Sequence, residues 1–169
     1  MREAPFCDKA SLMLELSLQS ERATLALAHS VADVLEAGDV VGLEGGLGAG
    51  KTTFTRGAVH GLGVPEEQAV TSPTFALLHH YDGRVPIGHA DLYRLGSETE
   101  IEELGLDEML EGGAVLFVEW GRKFPEMAEK TSLWVELDIV SDDERRVRLA
   151  GVGPRGDAII TALRRGLAQ

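Results

Sequence analysis

The segment Gly45-Gly46-Leu47-Gly48-Ala49-Gly50-Lys51-Thr52 fits G-x-x-x-x-G-K-[ST], and no other stretch constrains the fold as much. Such a loop works as the bend between a strand and a helix. Its surroundings meet that demand. Asp39–Glu44 (DVVGLE) is an apolar run without strict alternation, as expected of a buried strand. Beyond the loop, Phe54, Ala58 and Leu62 recur at helical spacing, and Gly61 and Gly63 close the helix. The chemistry explains the residue types. A loop that wraps a phosphate must turn its N–H groups inward and bring backbone close to oxygen, which glycine permits. The helix that follows adds its free N–H groups and its dipole. In this arrangement Lys51 reaches the β- and γ-phosphates, and the Thr52 hydroxyl ligates Mg²⁺.

The rest of the chain supplies an α/β frame. Leu12–Gln19 partly alternates apolar and polar residues, as a half-buried strand does. Ser20 suits the N-cap of a helix that carries Leu27, Val31, Val34 and Leu35 on one face, and Gly38 can end it. Phe75–Tyr81 and Val85–Tyr93 predict a β-hairpin turning at Asp82-Gly83. Ser97 and Glu100 have capping-box spacing, so a short helix begins there. Ala114–Trp120 is the most strand-like run. Residues 132–140 and 144–152 predict a second hairpin around Asp142-Asp143, and Gly156–Leu167 a final helix. The expectation is a loose leader over residues 1–10 and one P-loop NTPase domain over residues 11–169. Its mixed sheet has a parallel centre, antiparallel additions and flanking helices.

Charge and composition narrow the partners. Asp plus Glu number 28 against 16 Lys plus Arg, a net charge of -12. Such a field repels a bare phosphate backbone and disfavours generic nucleic-acid binding, although an acidic protein can work beside RNA through a partner. One cysteine, Cys7, allows no disulfide framework within the chain and favours a reducing compartment. No apolar run approaches the roughly 18–20 residues needed to span a bilayer. The first ten residues lack the apolar centre of a signal peptide. The expectation is a cytoplasmic protein with no membrane association.

A phosphate loop of this kind also needs a carboxylate at the end of a neighbouring strand. Glu119 ends the AVLFV run and is assigned to Mg²⁺; Asp91, after VPIGHA, becomes the candidate for orienting or deprotonating water. The chain has no asparagine, which counts against the Asn-Lys-x-Asp signature of most P-loop GTPases and favours ATP. Ser72 and Thr74 flank Pro73 in a polar loop, which suits a switch sensing the γ-phosphate or an ordinary loop capping a strand. His89 lies two residues before Asp91, on the same strand face, as a structural side chain or half of a metal pair. Trp120 points to the face opposite Glu119 if the strand continues, or sits at the strand end, packing on a base or on protein.

Taken together, GGLGAGKTTFTRG, SPTF, HADLYRL, ELG and VEW resemble, in order and rough spacing, the bacterial TsaE (YjeE) family of small ATPases. That family serves the synthesis of threonylcarbamoyladenosine (t6A) in tRNA. The resemblance runs from about Ser20 to the C-terminal hairpin. It implies a P-loop fold, Mg²⁺-dependent ATP binding, weak intrinsic hydrolysis and partnership with TsaB and TsaD, with tRNA engaged only indirectly. It implies phosphate contacts from Leu47, Gly48, Ala49, Gly50, Lys51 and Thr52, a nucleotide contact from Thr53, and Mg²⁺ held by Thr52 and Glu119. Asp91, Glu119 and Lys51 would be catalytic, Trp120 would lie next to the nucleotide, and Glu21 and Arg145 match further nucleotide-contacting positions. The switch loop maps to Ser72–Phe75. The family usually has Asp where this chain has Gly46. A small-molecule kinase and a non-catalytic ATP-gated module are the competing readings. Arg145, Arg146 and Arg148 on one hairpin are few for the arginine-rich lid of a kinase.

Overall fold

Strand β2 (Val40–Glu44) occupies the middle of a seven-stranded sheet, and the glycine loop leaves from its C-terminal end. The architecture comes from a computed structural model that describes residues 12–169. The leader expected over residues 1–10, with Cys7, lies outside the described residues. The other strands are β1 (Met13–Leu18), β3 (Leu78–Asp82), β4 (Pro86–Asp91), β5 (Val115–Glu119), β6 (Leu133–Ile139) and β7 (Arg145–Gly151). Their order is β1-β7-β6-β2-β5-β4-β3. The central β6, β2, β5 and β4 run parallel, while β7 and β1 extend one edge and β3 the other in antiparallel fashion. The expected mixed sheet with a parallel centre is therefore present.

Helices cover both faces, which is why β2 and β5 read as continuous apolar runs. On one face lie α1 (Glu21–Val34), α2 (Lys51–Gly61) and α6 (Gly153–Leu167), packed through Leu27, Phe54 and Ile159 onto Leu43, Phe117 and Val135. On the other lie α3 (Glu98–Glu102), α4 (Leu106–Glu111) and α5 (Pro125–Lys130), packed onto Val40, Leu116 and Val118. Each fully buried large side chain stabilises the fold by about 1.5–3 kcal/mol. The helix of the glycine loop is pressed close to α1. A Cβ on Gly57 would stand 2.9 Å from the Ala28 Cβ and 2.9 Å from the Leu25 carbonyl oxygen.

Several boundaries differ from expectation, each for a tertiary reason. Ser20 caps α1 as expected, its hydroxyl accepting from the Ala23 N–H at 3.1 Å. The helix stops at Leu35 instead of Gly38, because Arg84 from the β3–β4 turn donates to the carbonyls of Ala32 and Leu35 at 2.7 and 2.9 Å. The β3–β4 turn is Gly83 to Val85, one residue later than expected, since Asp82 pairs with Pro86 in the ladder. The end of α2 holds that turn, the Leu62 carbonyl accepting from the Arg84 N–H at 2.7 Å. β3 starts at Leu78, because residues 74–76 form a turn closed by the Leu77 N–H donating to the Pro73 carbonyl at 2.7 Å. α6 begins three residues before Gly156, with Pro154 in its first turn. There Arg155 reaches Asp39, 3% exposed, at 2.7 Å, tying the last helix to the approach of β2. α4, α5 and the 3-10 turn Gly121–Lys123 were not expected; they are too short to show a period. Among the described residues no helix is long and apolar enough to cross a membrane.

Candidate nucleotide-binding site

The glycine loop has the backbone its sequence demands. Gly48 and Gly50 adopt φ of 77° and 108°, a left-handed region that side chains resist. Gly50 is the N-cap of α2 and offers no side chain, so no cap side chain takes the free N–H groups of the first turn. Those N–H groups and the dipole of α2 are a fitting seat for an anion. The Lys51 ammonium folds back over the loop, donating to the carbonyls of Gly45 and Gly46 at 2.5 and 3.2 Å. It lies 5.6 Å from the centroid of the Trp120 ring. A Cβ on Gly46 would meet nothing within 4 Å, so the position where the family usually has Asp is open space here.

A cleft of about 700 Å³ opens beside the loop. Residues 46–53 form one wall; Ser72, Thr74, Asp91, Tyr93, Glu119 and Trp120 form the other. The parallel register of β4 and β5 sets Asp91 beside Glu119, and both strands end at these residues. Both carboxylates are nearly buried, at 6% and 4% exposure. Each is held. An Asp91 oxygen accepts from the Tyr93 N–H at 3.0 Å, and the Asp91 N–H donates to the Leu77 carbonyl at 3.0 Å. Glu119 Oε1 lies 3.0 Å from Nε2 of His89, which is wholly buried. His89 is thus the partner of a candidate metal ligand, a role its spacing from Asp91 did not reveal.

Trp120 resolves the choice left open by the sequence. β5 stops at Glu119, and Trp120 turns out of the sheet with φ of 64°. A left-handed backbone costs a non-glycine residue about 1–2 kcal/mol. The turn brings the indole into the same cleft as Glu119, against Tyr93 at a ring separation of 4.9 Å. Tyr93 escaped the sequence reading, although it lies only two residues past Asp91. Ser72 and Thr74 face the cleft with their hydroxyls 2.9 Å apart, whereas Pro73 is buried.

The residues expected to meet a nucleotide do not all meet in one place. Glu21 and Arg145 line a second, smaller cleft of about 310 Å³, with Ser20, Thr24, Thr53 and the acidic pair Asp142 and Asp143. The backbone of Gly48, Ala49 and Gly50 borders both clefts. Glu21 pairs with Arg56 at 2.5 Å on the surface. The guanidinium of Arg145 donates to the carbonyls of Ala49 and Gly48 at 3.1 and 3.4 Å, and to Ser141, Asp142 and Glu144 of its own hairpin. Arg145 therefore braces the glycine loop. Arg146 lies 3.8 Å from Glu15, and Arg148 lies 3.1 Å from Glu136. Hence this hairpin presents no cluster of arginines to the cleft.

One further acid stands at the root of the loop. Glu44 closes β2, and one of its oxygens is buried without a hydrogen-bond partner. Burial raises its pKa above the ordinary carboxylate value. Arg122, by its charge and its main-chain N–H, and Lys51 pull the other way, while Glu136 adds to the rise.

Among the described residues no three His, Cys, Asp or Glu side chains cluster as a closed metal cage. The cleft instead gathers a hydroxyl, Thr52, and two carboxylates, Asp91 and Glu119. Such hard oxygen donors, too few to enclose an ion, fit Mg²⁺, which keeps several waters and shares itself with phosphate.

A parallel-centred sheet with this loop between β2 and α2 defines a protein of the P-loop NTPase fold. Within that class the chain belongs to the TsaE family. The model of the family, described as threonylcarbamoyl adenosine biosynthesis protein TsaE, matches residues 18–147. The chain is 42% identical over 143 residues to the tRNA threonylcarbamoyladenosine biosynthesis protein TsaE of Bacillus subtilis, covering 84% of this chain and 88% of that one. It is 43% identical over 138 residues to the protein of the same name from Streptomyces coelicolor, covering 76% and 90%. The crystal structure of Bacillus subtilis YdiB superposes with a TM-score of 0.77 at 33% identity, covering 94% of this chain and 99% of that one.

Proposed function

We propose that this protein is a Mg²⁺-dependent ATPase that supports t6A modification of tRNA, spending ATP on turnover of a TsaB–TsaD complex. The observation that carries the ATPase reading is the register of β4 and β5, which seats Asp91 and Glu119 side by side across the cleft from Lys51 and Thr52. Family membership and the printed names of the relatives support the t6A role. Absence of asparagine favours ATP over GTP.

In this reading the loop amides and the first turn of α2 bind the phosphates. Lys51 exchanges its loop carbonyls for phosphate oxygens. Thr52 and Glu119 would hold Mg²⁺, which would supply positive charge against the phosphates. Asp91 orients the attacking water, and His89 keeps the Glu119 carboxylate facing the cleft. Trp120 and Tyr93 wall the site from bulk solvent. Glu21 and Arg145 belong to the far side of the loop, where the rest of the nucleotide emerges, and Thr53 borders both clefts. Ser72 and Thr74 act as the switch that senses the γ-phosphate. The net charge of -12 fits a protein that approaches tRNA through partners and works in the cytoplasm.

The test is phosphate release from ATP by the protein alone and with purified TsaB–TsaD. Slow release alone, accelerated by the complex and dependent on Mg²⁺, is the expected result. Absence of both stimulation and complex formation would sink the partnership. Phosphate transferred to a metabolite instead of water would make the protein a kinase. The occupied arginines of the β6–β7 hairpin count against that outcome.

A further inference from the structure

The left-handed turn at Trp120 needs something to hold it, and the charged layer beneath the glycine loop supplies it. Arg122 follows Trp120 by two residues, within the 3-10 turn Gly121–Lys123. Its guanidinium lies over the ring of Trp134 on β6, 4.6 Å from the centroid, and its Nη1 bonds Glu136 Oε1. Glu136 is 12% exposed, and Arg148 of β7 approaches its other oxygen to 3.1 Å as an ion pair outside hydrogen-bond geometry. Glu136 also stands in register beside Glu44, the last residue before the loop. Two carboxylates on adjacent parallel strands repel each other in a half-buried setting. Arg122 serves both, bonding Glu136 and acting on Glu44 through its guanidinium and its main-chain N–H.

We infer that Arg122 is a positioning residue that clamps the Glu119–Trp120 turn to the root of the glycine loop through Glu44 and Glu136. It does not line the cleft itself. The assignment rests on the reading of that cleft as the nucleotide site. Its geometry is nonetheless measurable without nucleotide. Arginine suits the task because its flat guanidinium can stack on an indole and bond a carboxylate at the same time, which lysine cannot do.

The experiment uses the full chain labelled with 5-fluorotryptophan. Its two tryptophans give two fluorine resonances, and Trp120→Phe identifies one of them. Arg122→Gln and Arg122→Lys are compared with the unsubstituted protein after thermal unfolding has shown that each is folded. Without nucleotide, the Trp120 resonance should move or broaden in both variants. With MgATP, kcat should fall about tenfold while KM changes less than threefold, as expected for a displaced catalytic turn. Lysine should recover less than half of the loss. An unmoved Trp120 resonance and unchanged kcat in both variants would overturn the inference. If Arg122→Gln does not fold, Glu136→Gln removes the anchor while keeping Arg122, and the same two readouts decide. Failure of the unsubstituted protein to bind ATP would sink the nucleotide reading and leave the apo resonance to judge the clamp.

Discussion

The two clefts on either side of the glycine loop are built differently. On the Asp91 side, the acids sit at the ends of buried parallel strands, and backbone register fixes their separation. Neighbouring groups then fix their rotamers, as His89 does for Glu119. On the Glu21 side, the lining side chains come from a helix start and a hairpin tip and are largely exposed. Glu21 is held by its surface ion pair with Arg56, of a kind that contributes about 0–1 kcal/mol, and Arg145 by main-chain carbonyls of the loop and its own hairpin. Chemistry that tolerates little displacement is thus carried by the sheet, and contacts that can adjust are carried by its rim.

Substitutions can break or sharpen that contrast. The largest effect belongs to the strand-end acids. Asp91→Asn should lower ATP hydrolysis by about 10²–10⁴-fold in steady-state phosphate release, with little change in nucleotide affinity. Hydrolysis at the unsubstituted rate would remove Asp91 from any water-orienting role. Lys51→Ala, in the wall of the larger cleft, should weaken ATP binding by about 10–100-fold by calorimetry. Unchanged affinity there would defeat the phosphate-loop assignment. Arg145→Ala should cost affinity about 3–10-fold and leave kcat nearly intact, since it loosens a brace instead of displacing an acid. A fall in kcat as large as that of Asp91→Asn would erase the distinction between the two sides.

The smallest expected effect is on stability. The Glu44 carboxyl is raised above its ordinary value of 4.5, chiefly by burial. A raised acid binds its proton more tightly folded than unfolded. Its ionisation therefore lowers stability as pH climbs through the ordinary value, and the deficit is complete above the folded value. Glu44→Gln should raise Tm at pH 7.5 by no more than about 4 °C, and the difference should vanish below pH 4.5. A gain that persists in acid would place its cause in packing.

Much of this was legible in the chain. The phosphate loop, the strand before it, the helix after it and both strand-end acids follow from local pattern, because each is specified within about ten residues. The register that sets Asp91 beside Glu119 was not legible, since it joins strands separated by α3 and α4. The same holds for the His89–Glu119 pair and the split of Glu21 and Arg145 from the main cleft. Helix ends were misplaced where a distant side chain supplied the cap, as Arg84 does for α1. Trp120 was ambiguous because one left-handed residue decides which way the indole faces, and no local pattern announces it.

The strand order has a consequence for how the molecule comes into being on the ribosome. β2, from which the glycine loop springs, is flanked in the sheet by β5 and β6, which begin at residues 115 and 133. β1 waits longer still, for β7 at residue 145. An emerging chain therefore carries a finished loop sequence beside an apolar strand with both edges unsatisfied, until most of the protein has been made. Such a nascent chain is open to aggregation, and its folding is slowed by the distances to be closed. Stalling before residue 133 would leave β2 with one neighbour at most. The feature earliest recognised in the sequence is among the last to find its place.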